Sequence, residues 1–129
     1  WDELASGVRI LAGALVKMGV KPGDRVAAYI PNTPESTIGL FACVSIGAVW
    51  SSCSPDFGTK SVLDRFQQLE PKVLIAFDGY RYGGRDFDRR SDIAEIMADL
   101  PSVEHLIYKP YDMLRFLLLF QRILRKQRL

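Results

Sequence analysis

The chain has 129 residues, 48% of them hydrophobic and 25% charged, with a net charge of +2; that allows one domain with a real core and matches ordinary soluble composition. The charge is uneven, because residues 1–108 hold 11 Lys/Arg against 14 Asp/Glu while residues 109–129 hold 6 against 1. A slightly acidic body excludes a nucleic-acid-binding balance for the domain, and no apolar run approaches the roughly 20 residues of a membrane span.

Leu4, Val8, Leu11, Leu15 and Met18 fall on one stripe of a helix, and Gly19 supplies a left-handed stop. The chain enters this pattern directly from Trp1, which suggests a piece of a longer polypeptide, and no secretory pattern opens it. Lys21-Pro22-Gly23-Asp24 predicts a turn, and 26–30 is an apolar run of strand length, as in a sheet covered on both faces. Thr33 before Pro34 is a helix start, with Glu35 in the first turn where the dipole favours an acid. From 38 to 46 this helix is apolar nearly all round, which predicts burial. Residues 48–53 form the next strand. Val62, Phe66 and Leu69 predict a helix ended by Pro71, and 73–77 a third strand. Asp92 with Glu95 predicts a capping pair for a helix carrying Ile93, Ile96, Met97 and Leu100, and 105–108 a fourth strand. The alternation argues for an α/β fold: a parallel sheet with helices on both faces and right-handed crossovers, within residues 1–110.

Residues 111–129 break the alternation. Met113, Leu114, Leu117, Leu118 and 120–124 are largely apolar, interleaved with Arg115, Arg122 and Arg125. This predicts a basic amphipathic carboxyl-terminal helix, suited to a membrane surface, a partner groove, or the body of its own domain.

No catalytic constellation is present. His105 has no nucleophile at motif spacing, and Asp86 and Asp88 sit among Arg85, Arg89 and Arg90, which favours local ion pairing over a metal site. Cys43 and Cys53 lack metal spacing and read as buried free thiols of a reducing compartment. The best phosphate-loop candidate is 79–85, Gly-Tyr-Arg-Tyr-Gly-Gly-Arg. It follows a strand and so lies at the carboxyl edge of the sheet, where doubly wound folds bind ligands. A Gly-Gly turn carrying solvated arginines accounts for it equally well.

The run Trp50-Ser51-Ser52-Cys53-Ser54-Pro55-Asp56-Phe57-Gly58, with Asp64-Arg65-Phe66, Glu70-Pro71-Lys72-Val73 and Asp78-Gly79-Tyr80-Arg81-Tyr82, resembles the amino-terminal region of the AMP-forming acyl-CoA ligases. The wording is that of their acetoacetate-activating branch, across residues 4 to 110. The resemblance implies a parent enzyme that uses ATP and Mg2+ to adenylate acetoacetate and passes the acyl group to CoA in the cytosol. It implies that Arg85, and with it Arg81 near Tyr82, approach the phosphates of CoA, a role suited to guanidinium. Tyr80 or Tyr82 would stack on the adenine. The Ser/Thr/Gly-rich ATP loop and catalytic Lys domain of such ligases do not occur in this sequence. The chain alone is therefore expected to be inactive, with no catalytic or metal residue of its own. A standalone α/β binding module and a truncated interaction piece remain as alternatives.

Overall fold

The computed structural model describes residues 1–110. The elements run α1 (Asp2–Lys17), β1 (Arg25–Tyr29), α2 (Pro34–Ser45), β2 (Val49–Cys53), α3 (Thr59–Leu69), β3 (Val73–Phe77), β4 (Gly79–Tyr82), β5 (Arg85–Asp88), α4 (Arg90–Ala98) and β6 (His105–Lys109). The predicted carboxyl-terminal helix lies outside the described residues.

Four strands form one parallel sheet in the order β2-β1-β3-β6. β1 and β3 are central and nearly wholly buried, which is why their sequences are apolar runs rather than alternating ones. Side chains leave each strand on alternate faces, so Val26, Ala28, Val73 and Ile75 meet α1 and α2, through Leu15, Ala42 and Cys43. Ala27, Tyr29, Leu74 and Ala76 point the other way, onto Val62 and Phe66 of α3 and Ile93 and Ile96 of α4. The expected parallel sheet with helices on both faces is the architecture found.

Three local expectations change. Thr33 and Pro34 do begin α2, but the Thr33 hydroxyl makes no capping bond. Asp92 does not cap α4 either: the helix starts at Arg90, and Asp92, already in its first turn, pairs with Arg89 at 3.2 Å. α2 is not buried all round, because Leu40, Phe41 and Val44 face outward. The predicted stop at Gly19 holds, with φ +87°, and Glu70 before Pro71 takes a left-handed conformation at φ 51°. Cys43 and Cys53 are free and buried, and burial pushes the Cys43 thiol up to about 11.

Candidate functional site

α2 follows β1 on one face of the sheet and α4 follows β3 on the other, so the neighbouring strands β1 and β3 send their chains apart. Such a parting opens a crevice at the carboxyl ends of the strands. A cleft of about 950 Å³ lies there, lined by the β1–α2 connection (Pro31, Asn32, Thr33), the loop after β2 (Ser54, Pro55, Asp56), the end of β3 at Phe77, and the segment from Gly79 to Tyr82. Phe87, Lys109 and Pro110 close its rim.

Three tethers set its walls. The Tyr29 hydroxyl donates to the Pro55 carbonyl at 3.0 Å, fixing the loop after β2, and burial pushes that phenol up to about 12. The Tyr108 hydroxyl donates to the Asp78 carboxylate at 2.8 Å, and burial, with Asp78 adding to it, raises this phenol to about 12 as well. Lys109 ion-pairs with Glu35 of α2 and lies 4.7 Å over the Phe77 ring. Lys109 and Glu35 are 74 positions apart, so nothing local in the sequence signals the pair.

Burial alone would raise the Glu35 carboxyl, but the hydrogen bond from Lys109 and the backbone of its own helix start hold it below its usual value. A carboxyl depressed in the folded state contributes stability that is complete above its ordinary value of 4.5 and lost as pH falls through the lower folded value. Urea unfolding of Lys109→Met followed from neutral to acid pH should therefore show a flatter acid limb than the native chain. An acid limb of unchanged slope would remove the pair from the account.

The predicted phosphate loop is a β-hairpin. Gly79–Tyr82 pairs antiparallel with Arg85–Asp88, and Gly83 and Gly84 form the turn at φ +59° and +77°. Two successive positive φ values make the tight two-residue hairpin connection, which a Gly-Gly pair adopts without strain. In this register Tyr80 faces Phe87 and Tyr82 faces Arg85, while Arg81 faces Asp86 from the other side. Tyr80 and Phe87 stack with ring centroids 5.0 Å apart. The Arg89 guanidinium lies 5.5 Å from one ring centre and 5.8 Å from the other, and donates to the Tyr80 hydroxyl at 3.2 Å. The Arg89 N–H to the Asp78 carbonyl, at 2.6 Å, closes the base of the hairpin.

The structure thus brings Tyr82 and Arg85 together and puts Arg81 on the opposite face. Arg81 and Tyr82 line the cleft, and Arg85 stands at the far end of the hairpin, 6.0 Å from the Phe87 centroid. The expected local ion pairing holds for Asp88, with Arg90, while Asp86 pairs across the hairpin instead. Arg90 grips Asp88 with contacts down to 2.5 Å and holds that carboxyl down to about 2, whereas Asp86 meets Arg81 at 3.9 Å in the open. His105 is the first residue of β6, in register with Val73. Among the described residues no group of three or more His, Cys, Asp or Glu is placed to hold a metal ion, and no helix is long and apolar enough to cross a membrane.

Residues 1–121 match the family model for AMP-binding enzymes. The chain belongs to that family. It is 40% identical over 111 residues to acetoacetyl-CoA synthetase of Macaca fascicularis, covering 86% of this chain and 16% of that protein. Against the acetoacetyl-coenzyme A synthetase of Rhizobium meliloti it is 49% identical over 100 residues, which is 78% of this chain and 15% of the relative. The structure of acetoacetyl-CoA synthetase from Streptomyces lividans superposes with a TM-score of 0.83 and 52% identity over 85% of this chain and 17% of that one. The chain therefore spans about one sixth of the length of the relatives it matches.

Proposed function

We propose that this chain is the opening α/β layer of an acetoacetate–CoA ligase, which joins acetoacetate to CoA at the expense of ATP, and that its part in the reaction is to scaffold the carboxyl-edge cleft and offer basic residues to CoA. Residues 1–110 form that layer, and 111–129 follow it as a basic, largely apolar tail. The observation that carries the reading is the hairpin rising from the carboxyl end of β3, with Arg81, Tyr82 and Arg85 on it, in a chain 52% identical to a solved acetoacetyl-CoA synthetase.

The residues fit an anionic thiol carrier. Arg81 pairs with Asp86 at 3.9 Å in the open, a contact worth about 0–1 kcal/mol that a phosphate can displace. Tyr82 is 76% exposed and leaves a ring face free for a purine, with Arg85 directly across the hairpin. ATP and its Mg2+ need a phosphate loop and a transferring Lys, which the sequence lacks, so the chain cannot surround the transferring group with the charge its transition state needs. The ligase so assembled would work on small soluble molecules in the cytosol.

Two measurements test this on the chain itself. Pyrophosphate exchange with acetoacetate and ATP should give no signal, and a signal would overturn the scaffold role. Titration with CoA, followed by amide chemical shifts, should move the hairpin from 79 to 88 and leave α3 still. Arg81→Ala and Arg85→Ala should each weaken that titration by about 1 kcal/mol, roughly fivefold, as expected for exposed charge-assisted bonds. CoA shifts elsewhere, unchanged by either substitution, would sink the assignment of these arginines.

A further inference from the structure

β4 and β5 pair with each other as a sheet separate from the four-stranded one. A lone two-stranded hairpin is marginally stable in water, so its angle to the body must be set by other contacts. The base is pinned by main chain. The Asp78 N–H donates to the Lys109 carbonyl at 3.1 Å, the Arg89 N–H donates to the Asp78 carbonyl, and the Ile93 N–H donates to the Arg89 carbonyl at 3.0 Å as α4 begins. A pinned base still leaves the tilt open. Each strand has four residues and reaches about 13 Å, so a tilt of about 15° would carry the turn more than about 3 Å.

The Arg89 side chain is placed to fix that tilt. One arm of the guanidinium, Nη2, donates to the Tyr80 hydroxyl of the hairpin; the other, Nη1, donates to the Asp92 carboxylate of α4 at 3.2 Å. Its carbon also lies against the stacked Tyr80 and Phe87 rings. Asp92 adjoins Ile93, which is buried in the core cluster with Tyr29 and Leu74, so α4 moves with the sheet. A planar fork with two directed N–H groups fixes direction as well as distance, which a point charge on a flexible stem does not. Tyr82 and Arg85 stand on the same face as Tyr80, and Arg81 on the other, so fixing the Tyr80 ring fixes all three. We propose that Arg89 is a positioning residue: it locks the hairpin's tilt against α4 and so holds Arg81, Tyr82 and Arg85 in place for a phosphate-bearing carrier, without touching that carrier itself. The consequence for binding rests on the reading of the hairpin as a CoA contact; the lock is a property of the chain alone.

Residual dipolar couplings of the amides, recorded on the full chain without CoA, test the lock. In Arg89→Met, β1 and β3 should keep their native couplings while those of 79–88 report a changed or averaged orientation. CoA titration of the same variant should be about tenfold weaker, as for a hairpin competent about a tenth of the time. Arg89→Lys should not restore it. Tyr80→Phe keeps the ring and every cation but removes one acceptor, and should weaken CoA about threefold; added to Arg89→Met it should cost nothing further. If Arg89→Met unfolds, Tyr80→Phe carries both measurements. Native couplings throughout the hairpin of the variants would overturn the lock. Altered couplings with unchanged CoA affinity, or full restoration by Arg89→Lys, would overturn its role in binding. A native chain in which CoA moves no hairpin amide would count against the ligase reading, and the couplings would still decide the lock.

Discussion

Phe66→Ala is expected to lower the unfolding free energy by about 3–5 kcal/mol, the cost of removing a wholly buried aromatic ring together with the cavity left behind. Phe66 has no exposed surface and sits in the cluster formed by Ala27, Tyr29 and Leu74 of the sheet with Ile93 and Ile96 of α4. A domain of this size holds about 5–15 kcal/mol in total, so one side chain carries a large share. In urea the midpoint should fall by roughly 2 M, with an unchanged slope. Phe66→Leu, which keeps most of the volume, should cost under about 1.5 kcal/mol. A midpoint shift for the alanine variant no larger than that of Val44→Ala, on the open face of α2, would mean that α3 is not integral to the core.

The layer around Phe66 is legible in the sequence because its pattern is strong and local. Val62, Phe66 and Leu69 repeat at helical spacing, and Val73 to Phe77 is an unbroken apolar strand. Gly19 and Pro71 punctuate the elements on either side. The hairpin is not legible as strands: Gly79–Tyr82 and Arg85–Asp88 are short, charged and mostly exposed, so no alternation of polarity announces them. Gly83-Gly84 is the available signal, since a Gly-Gly pair favours a two-residue hairpin turn. The apolar sequence of α2 overstates its burial for a different reason. Such a sequence says that a face should be covered, but α2 lies over the sheet near its β2 edge, and nothing among the described residues covers its outer side. At the site, Arg81, Tyr82 and Arg85 stand out in the sequence as basic and aromatic residues beside a Gly-Gly pair. Their division between two faces arises from the register of β4 on β5, which depends on where the turn falls. The pairing of Lys109 with Glu35 gives no local cue, because it arises only when β6 and α2 converge on the cleft.

Gly39→Ala should destabilise the chain by about 2 kcal/mol or more, although helix propensity taken alone favours alanine over glycine by about 1 kcal/mol. The reason is the indole beneath α2: a Cβ at position 39 would stand 2.4 Å from Cη2 and 2.6 Å from Cζ3 of Trp50. Real side-chain carbons do not approach so closely, and a rigid ring packed against the core cannot fold aside as a flexible chain end would. Either α2 lifts from the sheet or Trp50 leaves its place. Lifting α2 would carry Glu35 away from Lys109 and widen the cleft, so the amide shifts of Lys109 should move with the loss of stability. Trp50→Leu removes the obstructing ring atoms, and on that background Gly39→Ala should cost far less than it does alone. The two changes touch, so their effects should fail to add by more than about 1 kcal/mol in the direction of rescue. A gain in stability for Gly39→Ala alone, near the value propensity gives, would show that the indole yields and that the close approach of α2 to β2 does not position the cleft.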